Sequence, residues 1–291
     1  MTLARRSFLI VNPTSGSFSP DRLEQVRTAL RRGGLEPELL QTRSAQDAAL
    51  FAARICAEER APLLLVAGGD GTVNGVLNGL APGVATLGVI PLGTSNVLAR
   101  ELRIDSLEDA LARVVRGASR PISVGELECA GEKRRFLLMA GVGVDGAVVQ
   151  GVRLAEKRRF GKGAYLLSAL RLLRAWDGSE LQVAGAGGSR SCHSVIVCNA
   201  ARYGGNFLLA EQGDLFSPGF QVLCIKGGRL SYLKLALLLA LGRAGASKAV
   251  TSFQAGELEV SGSKAVQIDG DYFGCAPLKL KSLPEFLRLV V

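Results

Sequence analysis

The stretch Leu63-Leu64-Leu65-Val66-Ala67-Gly68-Gly69-Asp70-Gly71-Thr72-Val73-Asn74 decides the fold. A short apolar run bounded by Pro62 and glycines reads as a buried strand. Thr72, ahead of Val73, Val76, Leu77 and Leu80, reads as the cap of a helix. The turn between them, with Gly68, Gly69 and Gly71, leaves backbone N–H groups uncovered. At a helix start, which carries roughly half a positive charge, such groups hold phosphate. Asp70 is out of character there, because an acid repels phosphate unless a cation or a proton in transit lies between. The combination suggests metal-assisted phosphoryl transfer. A tight βα turn with an exposed acid is the plain alternative.

Working outward, the same pattern repeats. Phe8–Val11 reads as a strand followed by the turn Asn12-Pro13-Thr14-Ser15-Gly16, and Ser19-Pro20 caps a helix whose face is Leu23, Val26 and Leu30. Residues 37–42 read as a second strand with Thr42 at its end. A helix from about Ala45 presents Ala48, Phe51, Ala52 and Ile55. Thr86–Ile90 is a fourth strand ending in Pro91-Leu92-Gly93-Thr94-Ser95-Asn96, and Ser106 opens a further helix. Strands and helices alternating to about residue 120 predict a Rossmann-like α/β domain, with helices on a parallel sheet. In such sheets ligands bind beyond the carboxyl ends of the strands. Three polar, glycine-bearing loops fall at that edge.

After Pro121 the pattern changes. Ile122–Glu128 and Phe136–Ala140 read as strands joined by a charged turn, Gly131–Arg135, and Gly141–Gly146 is a second glycine-rich turn. Arg153, Lys157, Arg158, Arg159 and Lys162 cluster around Phe160. An apolar helix spans residues 163–176. From Leu181 onward, short strands interrupted by a helix near 231–241 predict an antiparallel sandwich or barrel. We expect a nucleotide-binding domain over 1–123 and a β-rich acceptor domain over 124–291, with the extreme C-terminus packing back on the first.

The bulk numbers narrow the partners. The chain has 291 residues, 48% hydrophobic, with a formal charge of +9. That charge favours nucleotides and anionic membrane surfaces. Aromatic residues make up only 5%, and no stripe alternates them with basic ones, so nucleic-acid binding by stacking is not expected. The six cysteines form no C-x-x-C pair and His193 is the only histidine, which argues against zinc and for free thiols in a reducing compartment. The apolar run Leu230–Leu241 is interrupted by Lys234 and is too short to span a bilayer. A cytoplasmic protein, peripheral at the inner membrane surface, is expected.

Asn12-Pro13-x-Ser15-Gly16, Gly68-Gly69-Asp70-Gly71-Thr72-x-Asn74 and Pro91-Leu92-Gly93-Thr94-x-Asn96 together resemble the diacylglycerol kinase catalytic-domain superfamily, which includes sphingosine and ceramide kinases. Gly141-Val142-Gly143-Val144-Asp145, the 157–165 stretch, Tyr203-Gly204-Gly205 and Ile268-Asp269-Gly270-Asp271 match in order. The resemblance implies a two-domain lipid kinase with its active site between the domains. It implies ATP held by Asn12, Pro13, Ser15, Gly16, Thr42, the Gly68, Gly69, Asp70, Gly71, Thr72, Asn74 turn and Thr94. It implies Asp271 as general base, assisted by Asp269. By their own chemistry Asp70 suits Mg2+ or the incoming hydroxyl, and Lys157 and Lys162 suit acceptor or donor phosphates, a solvated basic face being the plain alternative for the lysines. Relatives carry glutamate at the Asp271 position; aspartate is shorter by roughly 1.5 Å. Three acids used elsewhere for a structural magnesium are replaced by Val97, Ser123 and the Leu215-Phe216-Ser217-Pro218 segment, with Glu211 or Asp214 as substitutes. The Mg2+ expected is therefore that of MgATP. Two other readings stay open: a soluble kinase resembling NAD kinases, and a weakened, regulatory lipid-binding protein. The lipid acceptor is not read from the sequence. Nor is the oligomeric state, with a homodimer among the options.

Overall fold

The computed structural model describes residues 6–153, 155–156, 159, 163–205 and 207–291. The chain divides into two compact units. The first runs to Val124 and includes Gly204, Gly205 and Pro284–Val291; the second holds Gly125–Tyr203 and Phe207–Leu283.

In the first unit β1 (Ser7–Val11), α1 (Pro20–Arg32), β2 (Glu38–Gln41), α2 (Asp47–Glu58), β3 (Leu63–Gly68), α3 (Asp70–Gly79), β4 (Thr86–Pro91), α4 (Val97–Glu101) and α5 (Leu107–Arg116) follow one another. The strands form a parallel sheet in the order β2-β1-β3-β4. Leu9, Val11, Leu65, Ala67 and Ile90 from the strands meet Val26, Leu30, Leu111 and Val114 from the helices. β3 is buried at all six residues, as a helix-covered parallel strand must be. The Ser19 hydroxyl accepts the Arg22 amide and Pro20 opens α1, a cap contributing about 1 kcal/mol. One boundary differs from expectation. α3 begins at Asp70 with Gly69 as its cap, so Thr72 lies inside the first turn, buried, and caps nothing. The reason is local: the Thr72 and Val73 amides already bond the Gly69 carbonyl.

The second unit is an antiparallel β sandwich. β5 (Ser119–Cys129) enters it and pairs with β6 (Glu132–Phe136). The expected charged turn over 131–135 is therefore a strand. The turn is Ala130-Gly131, the two residues with positive φ. β7 (Met139–Val142), α6 (Val144–Gln150), α7 (Gly163–Arg174), β8 (Leu181–Gly185), β9 (Gly188–Cys192), β10 (Ser194–Cys198), β11 (Arg202–Tyr203), β12 (Phe207–Leu208) and β13 (Phe220–Ile225) follow. α8 (Arg229–Ala240), β14 (Val250–Ala255), β15 (Glu257–Ser261), β16 (Ala265–Ile268), β17 (Asp271–Cys275) and β18 (Leu278–Val290) complete the chain. One layer has the order β14-β13-β10-β7-β16-β17, antiparallel throughout. The other contains β15 between β8 and the first residues of β18, with β9 beyond β8. Their shared core includes Val142, Val183, Val197, Val222, Leu258 and Leu280, with Phe136 and Phe220 stacked at 5.7 Å. The last residues of β18 belong to the first unit, where Arg288 and Leu289 pair in parallel with β4. No described helix is long and apolar enough to cross a membrane.

Candidate active site

The loops after β1, β3 and β4 are knitted together at the carboxyl edge of the parallel sheet. Asn12 forms an Asx turn, its Oδ1 accepting the Thr14 amide at 3.0 Å and hydroxyl at 2.8 Å, while its Nδ2 donates to Thr72 Oγ1 at 3.0 Å. Its amide bonds the Ala67 carbonyl, and the Ser17 amide bonds that of Leu92. A Cβ on Gly16 would lie 2.4 Å from Thr94 Oγ1, and one on Gly93 2.5 Å from Gly69 Cα. Only glycines allow that approach. Asn96, in left-handed backbone, closes the third loop by bonding both the amide and the carbonyl of Gly93.

The opening of α3 is the free edge of this arrangement. Its cap is Gly69, with no side-chain cap, so the Asp70 and Gly71 amides have no helical partner. A Cβ on Gly71 would meet nothing within 4 Å among the described residues. These open N–H groups at the positive end of a ten-residue helix suit phosphate. Asp70 is turned another way. Its Oδ2 accepts the Val97 amide at 2.9 Å and its Oδ1 the Leu98 amide at 3.0 Å, so it caps α4 from a distance in sequence. Each oxygen keeps one further lone-pair direction. Thr42 is nearly buried, its amide on the Val11 carbonyl. Asn74 is buried, its Oδ1 accepting Asn78 Nδ2 at 3.0 Å. Ser15 sits in the Asx loop through its amide on Asn12, and Pro13 lies half-exposed beside it.

In the second unit Asp269 and Gly270 are the two central residues of a tight hairpin between β16 and β17, with φ of 48° and 91°. That is the primed turn that Asp-Gly favours. Strand alternation therefore does not hold across residues 269–271, and the two carboxylates do not share a face. The Asp269 carboxylate turns inward and accepts the amides of Leu137, Leu138 and Met139 at 2.8, 2.9 and 2.9 Å. Asp271 is exposed, and its carboxylate has no partner among the described residues.

A buried chain of hydrogen bonds reaches the same hairpin. Asp145, at the start of α6, receives the Tyr203 hydroxyl on Oδ1 and Gln267 Nε2 on Oδ2 at 2.6 Å. Gln267 Oε1 in turn accepts the Gly270 amide at 2.8 Å. Burial raises the Asp145 carboxyl above the usual carboxylate range, the two donated bonds opposing that rise. Burial also pushes the Tyr203 hydroxyl well up, so it stays protonated and donates. Gly141 leaves room for this carboxylate; a Cβ there would overlap Asp145 Oδ2. The sequence showed Asp145 and Tyr203 only as motif members. For Gln267 the available signal is a glutamine inside the otherwise apolar strand 265–268, two residues before an Asp-Gly turn.

Among the described residues no group of three or more acids, cysteines or histidines is arranged to hold a metal ion. Asp70 and Asp269 accept backbone amides, one on each Asp70 oxygen, with a further lone-pair direction left on both. Asp214 accepts the Phe216 amide and the Ser217 hydroxyl. Lys157 and Lys162 lie outside the described residues; Arg153 and Arg159 are exposed.

The fold and site define a two-unit α/β-plus-sandwich protein with a glycine cradle suited to phosphate. Comparison with known proteins gives the class a family. Residues 6–127 match the diacylglycerol kinase catalytic domain, and residues 139–291 match the YegS C-terminal NAD kinase beta sandwich-like domain. A diacylglycerol kinase of Bacillus subtilis (strain 168) is 30% identical over 99% of this chain and 96% of its own. One of Staphylococcus aureus is 32% identical over 62% of this chain and 57% of its own. A solved diacylglycerol kinase structure from Bacillus anthracis str. Sterne superposes with TM-score 0.73 at 17% identity, over 98% of this chain and 96% of that one. Another chain from that organism gives 0.81 at 20% identity, over 98% and 95%. At those identities the structures establish the fold alone. The chain belongs to the diacylglycerol kinase family, and by that membership it is an enzyme of the lipid-kinase class.

Proposed function

We propose that the protein transfers the γ-phosphate of ATP to the hydroxyl of diacylglycerol or a related lipid at a membrane surface. The observation that carries this reading is the start of α3, which has no side-chain cap and where a Cβ on Gly71 would meet nothing within 4 Å among the described residues. The β- and γ-phosphates of ATP belong there, with Asn12, Thr72 and Thr94 around them. Asp70, whose oxygens each keep a lone-pair direction, would hold the Mg2+ of MgATP, which would supply neutralisation of phosphate charge. Asp271 is assigned as general base: it takes the proton of the acceptor hydroxyl as that oxygen attacks the γ-phosphorus and ADP leaves. Asp269, tied to three amides, and Gln267, on the Gly270 amide, hold the turn that carries it. That both groups act on one nucleotide is part of the proposal. Phosphoryl transfer asks for such positioning more than for covalent chemistry.

The test is transfer of labelled γ-phosphate from MgATP to a panel of lipid vesicles, with NAD as a soluble acceptor. Label on a glycerolipid, abolished by Asp271→Asn, supports the reading and names the acceptor. Label on NAD, or none anywhere while ATP still binds, refutes it.

A further inference from the structure

The helix α8 has no polar side: Arg229–Ala240 reads RLSYLKLALLLA. Helices apolar all round are normally covered all round. Among the described residues α8 is covered on one face only. There Tyr232 donates to Ser194 Oγ at 2.7 Å and packs edge-on against Trp176, with Leu235 buried beside it. The opposite face leaves Leu230 73%, Leu233 49%, Leu237 62% and Leu241 63% exposed. At 3.6 residues per turn these four fall within an arc of roughly 80°. β12 packs beside the helix and adds Phe207 and Leu208, both exposed. Single exposed leucines need no explanation, but a continuous stripe does.

The charges around the stripe identify what covers it. Lys226, Arg229, Lys234, Arg243 and Lys248 are the charged residues from 226 to 248; no Asp or Glu interrupts them. All five are exposed, and none forms an ion pair among the described residues. A second copy docked on this face by two-fold symmetry sets its basic flank against the same basic flank, which is repulsive. An anionic bilayer suits both features: leucines enter the acyl boundary while lysine and arginine stay at the lipid phosphates.

We propose that α8 with β12 is the membrane-docking element of this protein, lying in the plane of an anionic lipid surface. The proposal rests on the lipid-kinase reading for its purpose, but it is measured separately, as binding without nucleotide. The full chain is sedimented with vesicles of equal parts phosphatidylglycerol and phosphatidylcholine, and with pure phosphatidylcholine. Wild type binds the anionic vesicles, more weakly at high salt. Leu233→Ser/Leu237→Ser loses at least tenfold in binding while phosphorylating a short-chain, water-soluble acceptor at the wild-type rate. Trp176, the single tryptophan, touches the inner face of α8, and its unchanged emission reports that the helix stays docked. Should that emission change, Lys234→Glu/Arg243→Glu decides, with the same tenfold loss and a flattened salt dependence expected. Binding that survives both double variants overturns the proposal, as does a concentration-dependent dimer that the leucine variant abolishes without vesicle binding. Vesicle binding by wild type with no lipid phosphorylated leaves docking supported and refutes the kinase reading instead.

Discussion

Gln267 Nε2 lies 2.6 Å from Asp145 Oδ2, and the direction of that bond is fixed. The other end of the glutamine accepts the Gly270 amide, which can only donate, so Nε2 must face Asp145. Asp145→Asn leaves one acceptor oxygen where two donors converge, so either its new amide meets Gln267 Nε2 or the Tyr203 hydroxyl has to turn from donor to acceptor. We expect it to cost up to about 1–3 kcal/mol, the full value being that of an unsatisfied buried group, and to lower turnover by loosening the hairpin. Pairing it with Gln267→Glu restores an acceptor on both sides of residue 267. Urea midpoints and turnover of the two singles and the double form the test. The double should recover much of both losses, and a double as impaired as the sum of the singles would contradict the pairing.

Gly270 isolates backbone from packing. Its φ is +91°, and a Cβ there would meet nothing within 4 Å. Gly270→Ala should therefore cost only the left-handed penalty of about 1–2 kcal/mol, with turnover falling because Asp271 is next in the chain. A variant of unchanged stability would mean that the turn has another shape.

Gly71 and Gly93 separate the cradle from its scaffold. Gly93→Ala drives a Cβ into Gly69 and should lower both stability and nucleotide affinity. Gly71→Ala meets nothing within 4 Å among the described residues and should leave the unfolding midpoint nearly unchanged while weakening ATP at least tenfold. Calorimetric titration with ATP checks both. Wild-type affinity in Gly71→Ala would remove phosphate from that turn.

His193 predicts a pH response. Burial lowers its pKa, an effect that nearby Lys264 reinforces and that the Asp177 carbonyl, Asp177 and Glu180 oppose. Its Nδ1 faces the Tyr232 hydroxyl at 2.9 Å and its ring stacks on Trp176. A histidine with a depressed folded pKa binds more protons when unfolded. The stability it contributes is full above the unfolded value of about 6.5 and is lost as pH falls below it. The thermal midpoint should drop on acidification through that window, and His193→Gln should flatten the drop. An equal slope in the variant would assign the response to other groups.

The α/β half was legible because its signals are local. Leu63–Ala67 is an unbroken apolar run, Ser19-Pro20 is a cap in adjacent residues, and helix faces repeat at 3.6. The sandwich half was legible in class but not in detail. β18 is one strand over 278–290, yet Pro284 and Glu285, the latter with φ of 49°, break its pattern into two apparent strands. At the site, the loops were found because glycine and hydroxyl residues cluster in sequence. What those residues do was hidden by distance along the chain. The amides that Asp269 accepts lie some 130 positions away, and those on Asp70 some 27. Nor does composition reveal that α8 keeps one of its apolar faces uncovered.

The most direct measurement compares wild type and Asp271→Asn in transfer of labelled γ-phosphate from MgATP to diacylglycerol in anionic vesicles. Asp271 is exposed and without a partner among the described residues, so the substitution should leave the unfolding midpoint and ATP affinity in place. Turnover should fall by about 10²-fold or more, the usual worth of a positioned base. Wild-type turnover in the variant would contradict the account and move the chemistry away from the hairpin.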